Sequence, residues 1–310
     1  MILTLTINPA IDRNLTVDRL VFEDRAYILD SEESSGGRGL NASCVIHSFG
    51  GKTAAVCTVG GETGQRLRQL LGNSGYDVDV VDVRAPTRTN MNISDRHGLT
   101  IKLNEKGSPI SAEELRRIEE AISRRLPEAR WLMLCGSMPP GVAPDFYARL
   151  IVNAEQLGVK TLLDTDGEAL EAGLEAHPTV VTPNQQEAER LLNKALLTRI
   201  QFLEAAERIC LMGPRMVVLS LGSRGCIGSR EGQLVEAIPP RVDVVCPIGA
   251  GDALAASFTW AMRRNDDFAD ALKWGVAAGT ASATLPGLTF ANFEQTKKVY
   301  QQVQIRDSPR

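Results

Sequence analysis

Short apolar runs and longer amphipathic ones take turns along most of this chain. "ILTLTI", "TAAVCTVG", "ARWLMLCGS", "VKTLLDT", "PTVVTPN" and "RMVVLSLG" are each rich in apolar residues and too short for a helix. Such runs carry no continuous polar face, so they predict strands covered on both sides. Between them, "LNASCVIHSFG", "ETGQRLRQLLGNSG" and "PDFYARLIVNAEQLG", the last opened by Pro144 and Asp145, predict helices. The alternation predicts an α/β fold with a mostly parallel sheet flanked by helices. "VDVVCPIGAGDALAASFTWAMRR", Val242 to Arg264, predicts a β-rich run, a Pro/Gly turn and one more helix.

Two regions break the rhythm. Residues about 12–35 and about 86–105 are polar with apolar positions interleaved, and the second carries a turn signal at "DRHG". Both predict half-exposed antiparallel hairpins, which pair as a small sheet capping the main one. The tail "QIRDSPR" has no pattern of its own and is expected to fray.

Composition narrows the partners. Thirty-four basic against 38 acidic residues leave a net charge of −4, which gives no support to a nucleic-acid or acidic-membrane partner. "MILTLTINP" has no basic leader and reads as a strand rather than a signal peptide. No apolar run approaches the roughly 20 residues a membrane span needs. Six scattered cysteines with no CxxC pair suit a reducing cytoplasm, the expected location.

Ligands of an open α/β sheet gather beyond the carboxyl ends of its strands. At predicted strand ends lie "NPAID" (Asn8–Asp12), "CGSMPPG" (Cys135–Gly141), "TPNQQE" (Thr182–Glu187), "SLGSRG" (Ser220–Gly225) and "PIGAGD". In the last, Gly249, Ala250 and Gly251 would present backbone amides at a helix start, where a phosphate is the natural guest. Asp252 beside such a phosphate is repelled by it unless it takes the proton of an attacking hydroxyl. As an ordinary N-terminal cap it needs no ligand at all. On the tetrapeptide alone both readings stay open. Gly37–Ala42 formally matches GxGxxA, but "DSEESS" before it is no apolar strand, so a dinucleotide site lacks its context. A glycine turn letting amides approach a hydroxyl-rich ligand, with Asn41 pointing in, fits better. GxxxxGK[ST] and HExxH are absent, and His47, His97 and His177 are too scattered for a metal triad.

Taken in order, "NPAID", "GGRGLN", "TRTN", "GSMPPG", "TPNQQE", "SLGSRG" and "GAGDALAASF" resemble the PfkB (ribokinase-like) carbohydrate kinases over nearly the whole chain. The likeness is to the sugar-phosphate branch: 1-phosphofructokinases, tagatose-6-phosphate kinases and minor-type 6-phosphofructokinases. It implies a single kinase domain over 1–310, a Rossmann-type body with a β-sheet lid, and a homodimer through that lid. It implies ATP and Mg²⁺ as cofactors and a phosphorylated ketohexose as substrate. "MILTLTINPAID" and "KLNEKG" look most like 1-phosphofructokinases, so the expected reaction turns fructose 1-phosphate into fructose 1,6-bisphosphate. The minor-type 6-phosphofructokinase and tagatose-6-phosphate kinase are the alternatives. A non-catalytic sugar-phosphate-binding regulator is the alternative of another class.

By the resemblance, Asp252 is the catalytic base and Gly249, Ala250 and Gly251 are its anion hole. Asp12, Gly37, Gly39 and Asn41 hold the sugar, while Arg88, Ser137 and, more weakly, Lys102 meet the substrate or its existing phosphate. Asn184 and Glu187 organise Mg²⁺ through water, and Ser220, Gly222 and Gly225 form the nucleotide-side loop. Three positions depart from the branch's usual pattern. Arg38 stands where lysine or glycine is common, Thr182 where lysine often precedes "PN", and Asn92 where many 1-phosphofructokinases have lysine.

Overall fold

The computed structural model describes residues 1–307 except Phe22 and Gly98. The chain opens with β1 (Ile2–Thr6), runs out through β2 (Ala10–Val17) and β3 (Ile28–Gly36), and returns by α1 (Arg38–Ser48) to β4 (Thr53–Val59). Helix α2 (Gly61–Leu71) leads to β5 (Asp77–Asp82), and β6 (Arg88–Asp95) and β7 (Thr100–Asn104) form a second excursion. There follow α3 (Ala112–Arg125), β8 (Trp131–Cys135), α4 (Phe146–Gln156), β9 (Lys160–Asp164), α5 (Gly167–Glu175) and β10 (Val180–Val181). Then come α6 (Gln185–Leu192), α7 (Arg199–Cys210), β11 (Met216–Ser220), β12 (Cys226–Arg230) and β13 (Gln233–Ile238). The chain ends with α8 (Ala250–Asn265), α9 (Phe268–Ala283), α10 (Phe293–Tyr300) and β14 (Gln304–Asp307).

A ten-stranded sheet runs β14-β13-β12-β11-β10-β9-β8-β1-β4-β5. It is parallel from β11 through β5 and antiparallel from β11 outward to β14. The absence of a polar stripe in the central strands follows from their position. In β8, Leu132 and Leu134 enter the core that contains Ile118, Phe146 and Phe202, while Trp131 and Met133 enter the opposite one with Val45, Phe258 and Trp274. Both faces are covered by helices, so alternate side chains are apolar in both directions.

The two excursions form a separate four-stranded sheet, β3-β2-β6-β7. Each hairpin is antiparallel, as expected, but the seam between them is parallel: Asp12 pairs with Asn90 and Asn14 with Asn92. The sheet is polar on one face, because Ser34, Asp12, Asn90 and Asn104 occupy one rung and Glu32, Asn14, Asn92 and Lys102 the next on that side.

Two expectations fail. "VDVV" is loop rather than strand: Val244 and Val245 are exposed, and the amides of Val245 and Cys246 both turn to the Ala283 carbonyl. The tail is ordered through Asp307, because Gln304–Asp307 pairs with β13 and extends the sheet edge. Ser308–Arg310 and Gly98 of the "DRHG" turn lie outside the described residues. Among the described residues no helix is long and apolar enough to cross a membrane.

Candidate active site

Helix α1 begins where β1 ends, and three glycines make that possible. A Cβ on Gly36 would lie 2.3 Å from the Asp12 carboxyl carbon, one on Gly37 2.5 Å from Thr6 Cγ2, and one on Gly39 2.6 Å from the Leu5 carbonyl oxygen. The turn therefore brings backbone close against β1 and Asp12. Gly36 was not singled out from sequence, although the clearance of Asp12 depends on it. The Leu40 amide donates to Thr6 Oγ1 at 3.0 Å, fastening the first turn of α1 to the strand end.

The mouth of α8 faces the same edge. Gly249 caps the helix at φ 78°, where a side chain would be strained and would strike Leu288 and Phe290. Gly251 borders open space. The Ala250 amide turns back to the Pro247 carbonyl at 3.3 Å, so of the three expected anion donors it is the one already engaged. Asp252 is the third helical residue and its carboxylate makes no cap of its own helix; instead Asn41 Nδ2 donates to its Oδ2 at 2.7 Å. Burial and the neighbouring Asp164 carboxylate push Asp252 up to about 6, against the pull of the Asn41 hydrogen bond and the Arg38 charge. A carboxyl group poised there is suited to accept a proton near neutral pH.

Arg38 opens α1 and reaches three carboxylates. Its Nη1 lies 2.9 Å from Asp164 Oδ1, and its Nη2 lies 3.2 Å from Asp166 Oδ2 and 3.4 Å from Glu187 Oε1. These anions hold the guanidinium firmly in its charged form. Asp164 and Asp166 escaped the sequence reading. The available signal was an acid closing the buried strand "VKTLLDT", since the end of a parallel strand is where ligands gather.

On the lid side, Asp12 is buried and accepts from Asn90 Nδ2 at 2.8 Å. Burial raises its pKa, while the Asn90 bond and the charges of Arg88 and Lys102 oppose that rise. Arg88 donates to the Glu105 carbonyl at 2.7 Å, and burial lowers its own pKa. Among the described residues, the buried side-chain atoms lacking any partner include Ser34 Oγ, Arg88 Nε and Asn90 Oδ1. All three sit in the lid rungs beside Asp12, where a hydroxyl-rich ligand would satisfy them. Lys102 pairs in register with Asn92 on the same polar face and is exposed. Ser137 receives Asn8 Nδ2 at 3.3 Å, and the same amide donates to the Lys106 carbonyl, tying the strand end to the lid's exit.

On the far side, Asn184 and Glu187 form a reciprocal capping box at the start of α6. Asn184 Oδ1 takes the Glu187 amide and Glu187 Oε2 takes the Asn184 amide, both at 2.9 Å. The Asn184 side-chain oxygen thus caps the helix, and the other Glu187 oxygen, Oε1, lies toward Arg38. Ser220 bridges to Asn184 at the end of β11; Gly222 (φ 61°) opens to free space, and Gly225 (φ 90°) has no room for a Cβ beside the Ala237 carbonyl. Thr182 is buried, with Oγ1 3.5 Å from the Leu163 carbonyl.

A helix mouth that accepts anions and also holds a basic carboxylate suits phosphoryl transfer to a hydroxyl, which is the chemistry of a kinase. The chain belongs to the pfkB family of carbohydrate kinases, whose sequence model matches residues 4–295. It is 30% identical over 302 residues to the ATP-dependent 6-phosphofructokinase isozyme 2 of Escherichia coli (strain K12), spanning 96% of this chain and 97% of that protein. It is likewise 30% identical over 308 residues to the 1-phosphofructokinase of Borreliella burgdorferi, spanning 99% of each. A crystal structure of Escherichia coli phosphofructokinase-2 in complex with substrates and products matches with a TM-score of 0.90 at 30% identity, over 97% of this chain and 98% of that one.

Because a Cβ on Gly36 would collide with the Asp12 carboxylate, Gly36→Ala displaces that carboxylate while leaving the main sheet intact. Sugar-kinase kcat/KM should fall on the order of 10–100-fold, with a melting temperature close to that of the native protein. Unchanged kinetics would show that Asp12 need not hold this position.

Proposed function

We propose that the protein is an ATP-dependent kinase of a fructose phosphate, converting fructose 1-phosphate to fructose 1,6-bisphosphate, with the whole chain acting as one kinase domain. The observation that carries this reading is the placing of Asp252: first turn of α8, bonded to Asn41, with its pKa raised to about 6. The names of the similar fructose-phosphate kinases support the substrate class.

In this reading the sugar lies under the polar lid face. Asp12, Asn90 and Ser34 meet its hydroxyls, and Arg88, whose fork matches phosphate oxygens, meets the phosphate already present. Lys102 and Ser137 border the same space. The free primary hydroxyl points toward α8, where Asp252 takes its proton as the oxygen attacks the γ-phosphorus of ATP. The amides of Gly249 and Gly251 are left to meet the charge that builds on the transferring oxygens. The loop of Ser220, Gly222 and Gly225 lies on the nucleotide side, and the open space at Gly222 and Gly251 leaves room for phosphates to approach backbone.

Magnesium fits the residues present. The site gathers Asp12, Asp164, Asp166, Glu187 and Asp252 against Arg38 and Arg88, so a bare triphosphate would meet an excess of negative charge. The donors are all oxygen, and among the described residues no three His, Cys, Asp or Glu side chains form a metal cage. An ion held by Glu187 and waters together with phosphate oxygens matches that set. When bound, Mg²⁺ would neutralise the phosphates and orient them. Asn184, whose Oδ1 caps α6, would hold Glu187 in place and could meet the ion through water.

Fructose 6-phosphate is the second reading. It is favoured by the 6-phosphofructokinase relative and by Asn92, which donates to Asn14 at 3.0 Å and offers no cation. Steady-state ADP release with Mg-ATP against fructose 1-phosphate, fructose 6-phosphate and tagatose 6-phosphate tests the assignment. The expected outcome is a preference for fructose 1-phosphate and a loss of kcat in Asp252→Asn of about 100-fold or more. Preference for another sugar phosphate would move the substrate and keep the base. Sugar-phosphate binding with no turnover at all would make the protein a regulator instead.

The outer lid face exposes Ile28, Leu29, Met91 and Leu103, a set of apolar side chains suited to the lid of a second copy. A homodimer through this face is therefore part of the proposal. Sedimentation velocity should give a dimer for the native chain and a monomer for Ile28→Glu/Leu103→Glu; a dimer that survives both charges would place the interface elsewhere.

A further inference from the structure

We propose that Glu105 is a positioning residue of the sugar-phosphate site: its side chain ends the lid's edge strand in such a way that its own carbonyl sets the guanidinium of Arg88. The inference deepens the kinase reading and rests on it, with Arg88 as the group that meets the sugar's existing phosphate. Strands β6 and β7 pair antiparallel from Ser94 and Thr100 down to Asn90 and Asn104. The next partners in that register are Thr89 and Glu105. There the ladder changes hands. The Thr89 amide donates to Glu105 Oε2 at 2.9 Å, so the carboxylate stands in for the main-chain carbonyl. The Glu105 carbonyl turns instead to Arg88 and accepts its Nη1 at 2.7 Å. One acid thus serves two neighbouring residues, with its side chain on Thr89 and its backbone on Arg88.

The chain on either side of this contact is fixed, which leaves the guanidinium as the part still to be set. Behind Arg88, Thr87 is buried and fully engaged. Its amide donates to the Gly60 carbonyl at 2.8 Å, its hydroxyl accepts the Gly60 amide at 3.1 Å, and its carbonyl accepts Thr63 Oγ1 at 2.5 Å. Beyond Glu105, the Lys106 carbonyl accepts Asn8 Nδ2 at 3.1 Å. Gly107 follows at φ 88° and passes so close that a Cβ would lie 2.3 Å from Asn8 Oδ1. An arginine gives up much rotamer freedom when it grips a phosphate, and a contact made before the ligand arrives removes that cost from binding. The Glu105 carbonyl occupies Nη1, while Arg88 Nε is buried and, among the described residues, has no partner, so it is left for an anion. Closure of the hairpin alone explains the arrangement poorly. A plain main-chain pair between Thr89 and Glu105 would close it as well, and it is the exchange of carboxylate for carbonyl that delivers an acceptor to Arg88. The role needs an oxygen rather than a charge, because a carboxylate beside a phosphate repels it.

The test uses the full chain with Glu105→Ala, Glu105→Asp, Glu105→Gln, Arg88→Ala and the double variant Glu105→Ala/Arg88→Ala. Turnover of the preferred fructose phosphate with Mg-ATP is read beside calorimetric binding of that sugar phosphate and competition by inorganic phosphate. Glu105→Ala should raise KM for the fructose phosphate and Ki for inorganic phosphate together by about tenfold. Its kcat and its KM for Mg-ATP should stay within about threefold of native. Glu105→Asp, one methylene short of the Thr89 amide, should behave as Glu105→Ala does although it keeps the charge. Glu105→Gln, whose side-chain oxygen still accepts that amide, should restore both constants to within about threefold of native. In the Arg88→Ala background, Glu105→Ala should cost no more than about twofold, since the group it positions is already gone. An unchanged KM in Glu105→Ala, a tenfold weakening in Glu105→Gln, or a tenfold loss that persists without Arg88 would make Glu105 a staple of the lid and overturn the proposal. A native protein that binds a fructose phosphate without transferring to it would end the kinase reading, and the calorimetric arm would still decide the role of Glu105. A native protein that binds no sugar phosphate would bring down both.

Discussion

One hydrogen bond, from Asn41 Nδ2 to Asp252 Oδ2 at 2.7 Å, joins the first turns of two helices that pack together on one face of the sheet. Helix α1 reaches that point because Gly36, Gly37 and Gly39 let it press against β1 and Asp12, and because Thr6 accepts the Leu40 amide. Helix α8 reaches it because Gly249 takes a left-handed turn packed under Leu288 and Phe290. Both approaches bring the base, the lid carboxylate and the guanidinium of Arg38 close enough to act on one another electrostatically. The site is therefore held by backbone packing at glycines, and its polar contacts are the result.

The second constraint is charge. Carboxylates outnumber guanidinium groups around Asp252, and this company, with burial, is what holds its pKa near 6. On the proposed function, the same imbalance disfavours a bare triphosphate and leaves Arg88, under the lid, to meet the sugar's phosphate. Arg38, between the two, is held by Asp164, Asp166 and Glu187.

Much of this was legible in the residues. The alternation of apolar runs marked the parallel sheet, and the two polar excursions marked the lid, because both patterns report burial directly. "GAGD" and "NPAID" could be placed at strand ends without coordinates. What escaped depends on distant partners. The valines of "VDVV" favour a strand, but the Ala283 carbonyl captures two consecutive amides there. The tail is a strand only because β13 offers an edge. "PNQQE" looked like a metal signature, yet its spacing is equally that of a capping box, and the cap claims the Asn184 oxygen. Asp164 and Asp166 gain meaning only when Arg38, more than a hundred residues earlier in the chain, is seen to reach them.

Proton transfer to Asp252, whose pKa is raised by burial and Asp164 and tempered by Asn41, is the step on which the proposed chemistry depends. It is tested most directly by the pH dependence of kcat/KM in the native protein and in Asn41→Leu, with the same substrates. A raised carboxyl pKa means the base is protonated, and activity lost, as pH falls through about 6. Below that the rate should drop about tenfold per pH unit. Losing the Asn41 bond should move this limb to higher pH, a difference that ionisation of the substrates cannot produce. An acid limb at the same pH in both proteins would contradict the account, because the proton would then be going elsewhere.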